Sequence, residues 1–392
     1  MSVAESRGKI EGRHYLTGEG VRVEMEDGLI SEIETGGGSV ADDAPWVGPG
    51  LVDLQVNGYA GFDFNSAALD EEHIRGATHA LWREGVTTYL PTVITNTDEA
   101  IERALRTIAA ACARDDQLGR TIAGLHLEGP FISPEDGPRG AHDKTNVKAP
   151  DWGLFERWQE AAEGRIALAT VSPEWPTAPE FIERCVEGGV IVSVGHTAAT
   201  PEQIREAVAA GASMSTHLGN GAHPSLPRHP NYIWEQLAQD ALWACAIADG
   251  FHLPDSVLKV ILKVKGRKAL LVSDAVSFAG MEPGEYQAAV GGRVILSPEG
   301  RLSLAESPGL LAGSVRPLRD GVEQLVRAGL LDLGEAWETA SVRPASALGL
   351  TQAAGLAVGA PADVVEFACS GGTIEVLRTH KAGQPAYDAR KP

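Results

Sequence analysis

The stretch from residue 190 to residue 220, VIVSVGHTAATPEQIREAVAAGASMSTHLGN, contains one complete repeat of the pattern that decides the fold. It begins with an apolar run that ends at His196, continues through a helical pattern, and returns to a short apolar run that ends at His217. An apolar run without strict alternation indicates a strand that is buried on both faces, as in a parallel sheet. The stretch is therefore interpreted as a strand–helix–strand unit with a polar side chain at each strand end.

The same alternation fills residues 49–350. The other strand-like runs are LVDLQVNG, TTYLPTVIT, IAGLHLEGP, IALATVSPE, ACAIADG and ALLVSDAVS, and helical patterns such as EEHIRGATHALWREG and DSVLKVILKVKG lie between them. Repeated βα units with right-handed crossovers form either a doubly wound sheet or a closed barrel. The number of units favours an α/β fold of the closed kind, a (β/α)₈ barrel of the TIM type.

Both ends of the chain have a different texture. VRVEM and LISEIE near the N-terminus alternate apolar and polar residues, and ADVVEFACSGGTIEVLRTHKAGQPAY near the C-terminus indicates several short strands. Neither end can bury much surface alone. We therefore expect residues 1–48 and 351–392 to pair into one small β domain beside a barrel of residues 49–350.

Composition excludes several classes of protein. A formal net charge of −20 argues against nucleic-acid binding, which depends on clustered lysine and arginine. The four cysteines show no CxxC spacing, which suits a reducing compartment. The N-terminus lacks the apolar stretch of a signal peptide, and no run of about 20 apolar residues indicates a membrane span. We expect a cytoplasmic protein.

Titratable residues recur at the ends of the strand-like runs, where the catalytic groups of a parallel barrel lie. We count five successive strand ends of this kind, which place these groups at one mouth: Glu128, His196, His217, Asp249 followed by His252, and Asp274. Each residue alone has an ordinary explanation as a turn former or helix cap. Their convergence is informative because buried, unpaired charges are costly.

A carboxylate and two imidazoles, Glu128, His196 and His217, form a suitable ligand set for a divalent metal ion with open coordination positions. Such an ion lowers the pKa of bound water towards about 7 and polarises a carbonyl group, which are the two requirements of amide hydrolysis. Asp274 can accept the proton of that water and return it to the leaving amine. His14, His73, His79 and His380 receive no role, and His126 is at most a neighbour of the ligands.

Two glycine-rich segments, GNGAHPSLPRHPN and ESPGLLAGSV, lie outside the strands and are interpreted as turns or as substrate cover. No Walker or dinucleotide fingerprint occurs, so a nucleotide cofactor is not supported.

A linked set of motifs resembles the N-acetylglucosamine-6-phosphate deacetylases of the amidohydrolase superfamily. In order, these motifs are GLVDLQVNG, GFDFN, GLHLEGPFISP, GAHD, VGHTAAT, THLGNG, IADGFH, LVSDAV and LAGS. The resemblance covers nearly the whole chain. It implies deacetylation of an N-acetylated amino-sugar phosphate, a (β/α)₈ barrel with a small β-sandwich formed by both termini, and a homodimer.

The resemblance also implies residue roles. Glu128, His196 and His217 match the family's metal ligands, and Asp274 matches its catalytic acid and base. The remaining matches are substrate-binding residues: His142 and His252 for the sugar or its acetyl carbonyl, Asn220 and Gly221 for the phosphate, and Arg228 for the phosphate of the neighbouring subunit.

The first strand departs from the wider superfamily, which usually carries His-x-His where this chain has Gln55 and Asn57. Among the deacetylases this substitution accompanies one metal ion rather than two, so we expect a single ion. Zinc is the default, and iron, cobalt and manganese are alternatives.

A second departure concerns the substrate. The family usually reads His-Leu-aromatic-Asn-Ala-Met where this chain has HLGNGA, and the following loop, HPSLPRHPNYIWEQ, is also unusual. Two alternatives therefore remain beside the phosphorylated sugar. One is deacylation of another N-acyl amino sugar, unphosphorylated or different, or of an N-acyl amino acid. The other is a barrel that has lost catalysis and serves as a scaffold.

Overall fold

The computed structural model describes residues 7–36, 41, 43–288 and 292–391. In this part of the chain the strands are β1 (Arg7–His14), β2 (Gly20–Glu26), β3 (Leu29–Thr35), β4 (Trp46–Pro49), β5 (Leu51–Val56), β6 (Gly58–Tyr59), β7 (Phe62–Asp63), β8 (Val86–Ile94), β9 (Leu125–Glu128), β10 (Ile166–Val171), β11 (Ile191–Val194), β12 (Met214–Ser215), β13 (Trp243–Ala246), β14 (Ala269–Leu271), β15 (Gly284–Gln287), β16 (Arg293–Leu296), β17 (Leu302–Leu304), β18 (Ser307–Leu311), β19 (Val364–Ser370), β20 (Thr373–Lys381) and β21 (Gln384–Asp388). The helices are α1 (Glu71–Arg83), α2 (Asp98–Arg114), α3 (Asp116–Thr121), α4 (Trp152–Ala161), α5 (Ala178–Glu187), α6 (Pro201–Ala209), α7 (Tyr232–Ala238), α8 (Asp255–Lys265), α9 (Leu318–Arg327), α10 (Leu333–Thr339) and α11 (Val342–Ala347).

Eight parallel strands form the barrel, and the predicted fold is confirmed. Their order is β5, β8, β9, β10, β11, β12, β13 and β14, which is also their order in the chain. Between β14 and β5 the barrel is nearly closed by a bridge between Val56 and Ala275, where the N–H of Asn57 donates to the carbonyl of Ala275 at 2.8 Å. The carboxyl ends of all eight strands therefore face one mouth.

The strand–helix–strand unit of residues 190–220 shows why the helices form. Thr200 and Gln203 make a reciprocal capping box at the start of α6, and Pro201 occupies its first turn. Ile204 and Ala207 lie on the buried face of this helix. Helices of this kind cover the outside of the barrel, while Leu54, Leu90, Leu168, Met214, Cys245 and Leu270 fill its interior.

The termini form the small β-sandwich domain. Seven strands pair in the order β21–β20–β19–β4–β1–β2–β3, so that β4 of the N-terminal part joins β19 of the C-terminal part antiparallel. Val23, Ile30, Val47 and Val364 belong to the core of this domain. The strands of both ends therefore complete a single sheet, as their texture predicted.

The four-stranded antiparallel sheet β15–β18 is not anticipated by the sequence analysis. It lies between barrel strand β14 and helix α9, and it converts part of the segment ESPGLLAGSV into strand β18. Short turns join β16, β17 and β18, so neighbouring strands pair locally. The interpretation of ESPGLLAGSV as turns or substrate cover misses this pairing.

Within the described residues, no helix combines the length and the apolar character that a membrane span requires.

Trp337 on α10 joins the barrel to the β-sandwich. Its indole is fully buried, stacks on Phe367 with ring centroids 4.1 Å apart, and donates from Nε1 to the carbonyl of Pro49 at 2.8 Å. We expect Trp337→Ala to lower the free energy of unfolding by about 3–5 kcal/mol because it leaves a cavity between the two domains. Trp337→Phe, which keeps a ring for stacking, should cost less. Urea unfolding followed by far-UV circular dichroism measures both, and equal midpoints for the wild type and Trp337→Ala would contradict this account.

Candidate metal and catalytic site

Three buried side chains converge at the mouth of the barrel. The Nε2 atom of His217 lies 3.0 Å from Oε1 of Glu128 and 3.1 Å from Nε2 of His196. The Nε2 atom of His196 lies 3.3 Å from the same carboxylate oxygen. Among the described residues, these three are the group whose spacing suits a metal ion, and all three are buried. The sequence predicts this same set.

The protonation of this cluster tests whether a cation fits it. The Nδ1 atom of His196 lies 2.8 Å from the carbonyl oxygen of Pro138, an acceptor, so Nδ1 carries the proton and Nε2 of the neutral ring presents a lone pair. That lone pair meets Nε2 of His217 and a carboxylate oxygen. Two acceptors, this lone pair and Oε1 of Glu128, lie 3.3 Å apart and repel one another unless a positive charge lies between them. Nitrogen and oxygen donors of this type match a divalent metal ion.

The pKa shifts of Glu128 and His217 also indicate that the cluster favours a positive charge. Burial opposes ionisation of Glu128, but the neighbouring His196 and His217 hold its pKa well below the ordinary value. Burial also acts to lower the pKa of His217, yet the Glu128 carboxylate raises it overall. The site therefore favours a negative carboxylate with a positive charge beside it.

Sharp turns after the strands aim these side chains inwards. His196, His217 and Asp274 have positive φ values of 46°, 24° and 49°, in the left-handed region that non-glycine residues rarely occupy. Each follows a barrel strand by one to three residues. Strained backbone is concentrated at functional sites, where the surrounding structure compensates its cost.

Strand β5 connects the ligand cluster to Asp274. The Nε2 atom of Gln55 donates to Oε1 of Glu128 at 2.8 Å and to Oδ1 of Asp274 at 3.0 Å. The Nδ2 atom of Asn57 donates to the same Asp274 oxygen at 2.8 Å. Burial, together with the nearby Glu128 charge, raises the pKa of Asp274 to about 6. A carboxyl group with a pKa near neutrality is suited to both accepting and returning a proton.

His252 is oriented by Asp249. Its Nδ1 atom lies 2.7 Å from Oδ2 of Asp249, while Oδ1 of that carboxylate accepts the backbone N–H groups of His252 and Phe251. Because the carboxylate only accepts, Nδ1 carries a proton and Nε2 is left for other partners.

His142 packs against His196, with ring centroids 4.6 Å apart and a near-perpendicular interplanar angle of 79°. Burial, together with the neighbouring His196, lowers its pKa to about 3, so the ring is neutral. Its Nδ1 atom is buried and has no hydrogen-bond partner among the described residues. A neutral imidazole with one unpaired nitrogen is available for a ligand.

A cavity of about 650 Å³ contains most of the predicted site residues. It is lined by Glu128, His142, His196, His217, Asn220, Gly221, His252 and Asp274, among others. Arg228 is exposed on the loop after β12 (residues 216–231, the β12 loop) and does not line the cavity. The described residues that line the cavity include no lysine or arginine.

Glycine at position 221 is required by the geometry of His196. A Cβ atom at Gly221 would lie 2.7 Å from Nδ1 of His196, and φ is +54°. The backbone of the β12 loop therefore packs directly against a candidate ligand ring.

The count of five successive strand ends is wrong. Strand β10 lies between β9, which ends at Glu128, and β11, which precedes His196. β10 leads instead to Glu174, whose carboxylate accepts hydrogen bonds from Ser133, Ser172 and the backbone of Ala198. The Glu174 carboxylate therefore joins neighbouring loops. Sequence spacing alone does not reveal these contacts.

The histidines without an assigned role lie outside the ligand cluster. His14 and His380 belong to the β-sandwich strands, and His73 and His79 belong to helix α1. His126 lies inside the barrel, where Nε2 pairs with Oγ1 of Thr170 at 2.8 Å.

The sequence and the fold were compared with known proteins. The model of the amidohydrolase family matches residues 46–385. An N-acetylglucosamine-6-phosphate deacetylase from Lysinibacillus sphaericus is 32% identical over 348 residues, which are 87% of each chain. The chain belongs to this deacetylase family. A human deacetylase of the same name is 30% identical over 352 residues, 87% of this chain and 83% of its own.

Solved structures of the family have the same architecture. A Mycobacterium smegmatis N-acetyl-D-glucosamine-6-phosphate deacetylase, in complex with N-acetyl-D-glucosamine-6-phosphate, superposes with a TM-score of 0.85 at 29% identity. The comparison covers 97% of this chain and 99% of the other. The Thermotoga maritima deacetylase gives a TM-score of 0.85 at 25% identity. The family membership and the buried acceptor cluster together indicate a divalent metal ion.

We expect His217→Ala to lose most of its bound divalent metal because removing one of three protein ligands weakens coordination severely. Elemental analysis of the purified protein gives the metal content per chain. His142→Ala is the matched control: it removes an imidazole that touches His196 but is not among the proposed ligands, so it should keep its metal. Full metal content in His217→Ala, or equal losses in both variants, would contradict the ligand set.

Proposed function

We propose that this protein hydrolyses the acetamide of N-acetyl-D-glucosamine 6-phosphate to D-glucosamine 6-phosphate and acetate. The observation that carries the proposal is the convergence of Glu128, His196 and His217 beside Asp274 in one cavity. This arrangement occurs in a chain of the deacetylase family, and a relative of the same fold binds that sugar phosphate. Buried titratable groups of this kind are expensive to keep unless they serve a purpose, which argues against a barrel without activity.

Glu128, His196 and His217 would hold one divalent ion, with zinc as the first choice and iron, cobalt or manganese as alternatives. When bound, the ion supplies Lewis acidity, which activates water and polarises the amide carbonyl. Gln55 and Asn57 support a single ion because each directs an amide N–H donor at a carboxylate. At these two positions the superfamily usually has histidine ligands. In this chain both side chains direct N–H donors at the carboxylates instead.

Asp274 is the proposed proton carrier. Gln55 and Asn57 both donate to its Oδ1 atom, which orients the carboxylate and leaves Oδ2 for water. In the proposed reaction Asp274 accepts the proton of the attacking water and delivers it to the sugar nitrogen as the C–N bond breaks. The amide hydrogen bonds hold the carboxylate in place through both transfers.

The remaining predicted residues are proposed to bind the sugar. Nε2 of His252 is the ring nitrogen not paired with Asp249, and it is proposed to contact the acetyl group. The unpaired Nδ1 of the neutral His142 suits a sugar hydroxyl. Asn220 and Gly221 line the cavity on the β12 loop and would contribute N–H groups of the Asn220 side chain and the Gly221 backbone to the phosphate, since the backbone N–H of Asn220 already donates to the carbonyl of His217 at 2.9 Å.

Arg228 is proposed to neutralise the phosphate of a second subunit. A bound phosphate needs a cation, and the described lining residues include no lysine or arginine. Arg228 is exposed on the loop that carries Asn220 and Gly221. In a homodimer, Arg228 of the partner subunit would complete the site. The same lack of a cation also favours the second candidate, an unphosphorylated or different N-acyl amino sugar or an N-acyl amino acid.

We expect Asp274→Asn to reduce acetate release from N-acetylglucosamine 6-phosphate by about a hundred- to ten-thousand-fold because the proton carrier is lost. Its metal content should equal that of the wild type because Asp274 is not a proposed ligand. Stopped acetate assays and elemental analysis measure the two quantities. Turnover close to that of the wild type would remove Asp274 from the mechanism.

Mixed dimers test whether Arg228 acts across the interface. Arg228→Ala should raise KM for the phosphorylated sugar roughly tenfold or more because a charged hydrogen bond is lost. Co-expression of differently tagged Arg228→Ala and Asp274→Asn chains gives a dimer in which one site retains Asp274 and receives Arg228 of the partner subunit. Tandem purification isolates this hybrid, and its KM should return to that of the wild type.

A hybrid with the raised KM of Arg228→Ala would show that Arg228 acts within its own subunit or not at all. A purely monomeric protein would also contradict the proposed assembly. Both results leave the assignment of Asp274 and the ligand cluster unaffected.

A further inference from the structure

Two loops form adjoining walls of the cavity. The loop after β9 (residues 129–151, the β9 loop) contributes Gly137, Gly140 and His142, and the β12 loop contributes Asn220 and Gly221. Their backbones are in close contact: a Cβ atom at Gly137 would lie 3.1 Å from Cα of His223 and 3.2 Å from the carbonyl oxygen of Ala222. The width of the cavity on this side therefore depends on how these loops are held together.

His223 joins the two loops through its side chain. Its Nε2 atom lies 3.0 Å from Oε2 of Glu135 on the β9 loop, and its Nδ1 atom lies 3.0 Å from the hydroxyl of Tyr232. The backbone N–H of His223 donates to that same hydroxyl at 2.8 Å. Tyr232 is the first residue of α7 and is only 5% exposed, so it provides a fixed anchor.

The donors and acceptors of this bridge fit a neutral imidazole. The Glu135 carboxylate only accepts, so Nε2 of His223 carries the proton, and Nδ1 accepts from the Tyr232 hydroxyl. The hydroxyl thus donates once and accepts once, and every polar group of the bridge has a partner. Phenylalanine in place of His223 or Tyr232 would break the bridge. Glutamine in place of Glu135 can still accept the hydrogen bond from Nε2 of His223.

Each loop carries groups that the proposed reaction needs. On the β9 loop, the carbonyl of Pro138 accepts from His196, and His142 packs against the same ring. On the β12 loop, Gly221 packs on His196 from another side. Glu135, His223 and Tyr232 themselves are not among the described residues that line the cavity.

We propose that Glu135, His223 and Tyr232 are positioning residues that hold the two cavity walls at the spacing required for substrate binding. This inference rests on the proposed function of the same site. The bridge keeps His142 opposite Asn220 and Gly221, so its loss weakens binding of the sugar phosphate. It leaves the chemical step and the metal content nearly unchanged, because the candidate ligands follow barrel strands and the Pro138 contact to His196 is not part of the bridge.

The test compares His223→Phe with Glu135→Gln and with a matched control. His223→Phe removes both side-chain hydrogen bonds and should raise KM for N-acetylglucosamine 6-phosphate about tenfold, with kcat within about twofold of the wild type. Glu135→Gln retains an acceptor for Nε2 and should behave as the wild type. His73→Phe is the control because His73 also pairs with a carboxylate, at 2.6 Å from Asp70, and has a similarly exposed side chain on helix α1.

A readout without turnover separates binding from chemistry. In an Asp274→Asn background, calorimetric Kd values for N-acetylglucosamine 6-phosphate should rise about tenfold with His223→Phe and remain unchanged with His73→Phe. If His223→Phe fails to fold, Tyr232→Phe and Glu135→Ala each break one side of the bridge and should raise KM in the same direction.

An unchanged KM in folded His223→Phe would overturn the inference, as would a loss of metal content or a fall in kcat alone. An equal effect of Glu135→Gln and His223→Phe would also overturn it, since only one of them breaks the hydrogen bond. Failure of the wild type to release acetate from this sugar would contradict the proposed function instead. The two failures are therefore distinguishable.

Discussion

Two imidazole nitrogens and one carboxylate oxygen meet at the mouth of the barrel, where Nε2 of His196 and the Glu128 oxygen are both acceptors. Such a cluster is unfavourable without a cation, and the surrounding structure is arranged to maintain it. The Pro138 carbonyl fixes the proton of His196 on Nδ1, and strained turns direct His196 and His217 inwards. Barrel strands β9, β11 and β12 hold the backbone that carries these three side chains.

Hydrogen bonds from strand β5 link this cluster to Asp274, the proposed proton carrier. Gln55 touches both Glu128 and Asp274, so the ligand cluster and the carboxylate beside it share a single amide group. Asn57 adds a second donor to Asp274. Two neutral amides stand where the superfamily usually has histidine ligands, and they tie the carboxylates together without adding charge. Burial of Asp274 then brings its pKa to about 6, within the range useful for proton transfer.

The barrel and the convergence of Glu128, His196 and His217 could be predicted from the sequence because buried parallel strands and their polar ends are local patterns. Glu128, His196 and His217 each stand out against the apolar run that precedes them. Contacts set by three-dimensional packing could not be predicted: the Glu174 carboxylate that joins three loops, the bridge at His223, and the sheet β15–β18. The roles of Asn220, Gly221 and Arg228 depend on a bound substrate and a second subunit, so they stay predictions.

The most direct test of the central claim is acetate release by the purified protein, after its metal content has been determined, from N-acetylglucosamine 6-phosphate and from unphosphorylated N-acetylglucosamine. The account predicts one divalent ion per chain and a strong preference, in kcat/KM, for the phosphorylated sugar. Equal rates for the two sugars, or no acetate from either with the ion bound, would contradict it. That outcome would direct attention to other N-acyl substrates.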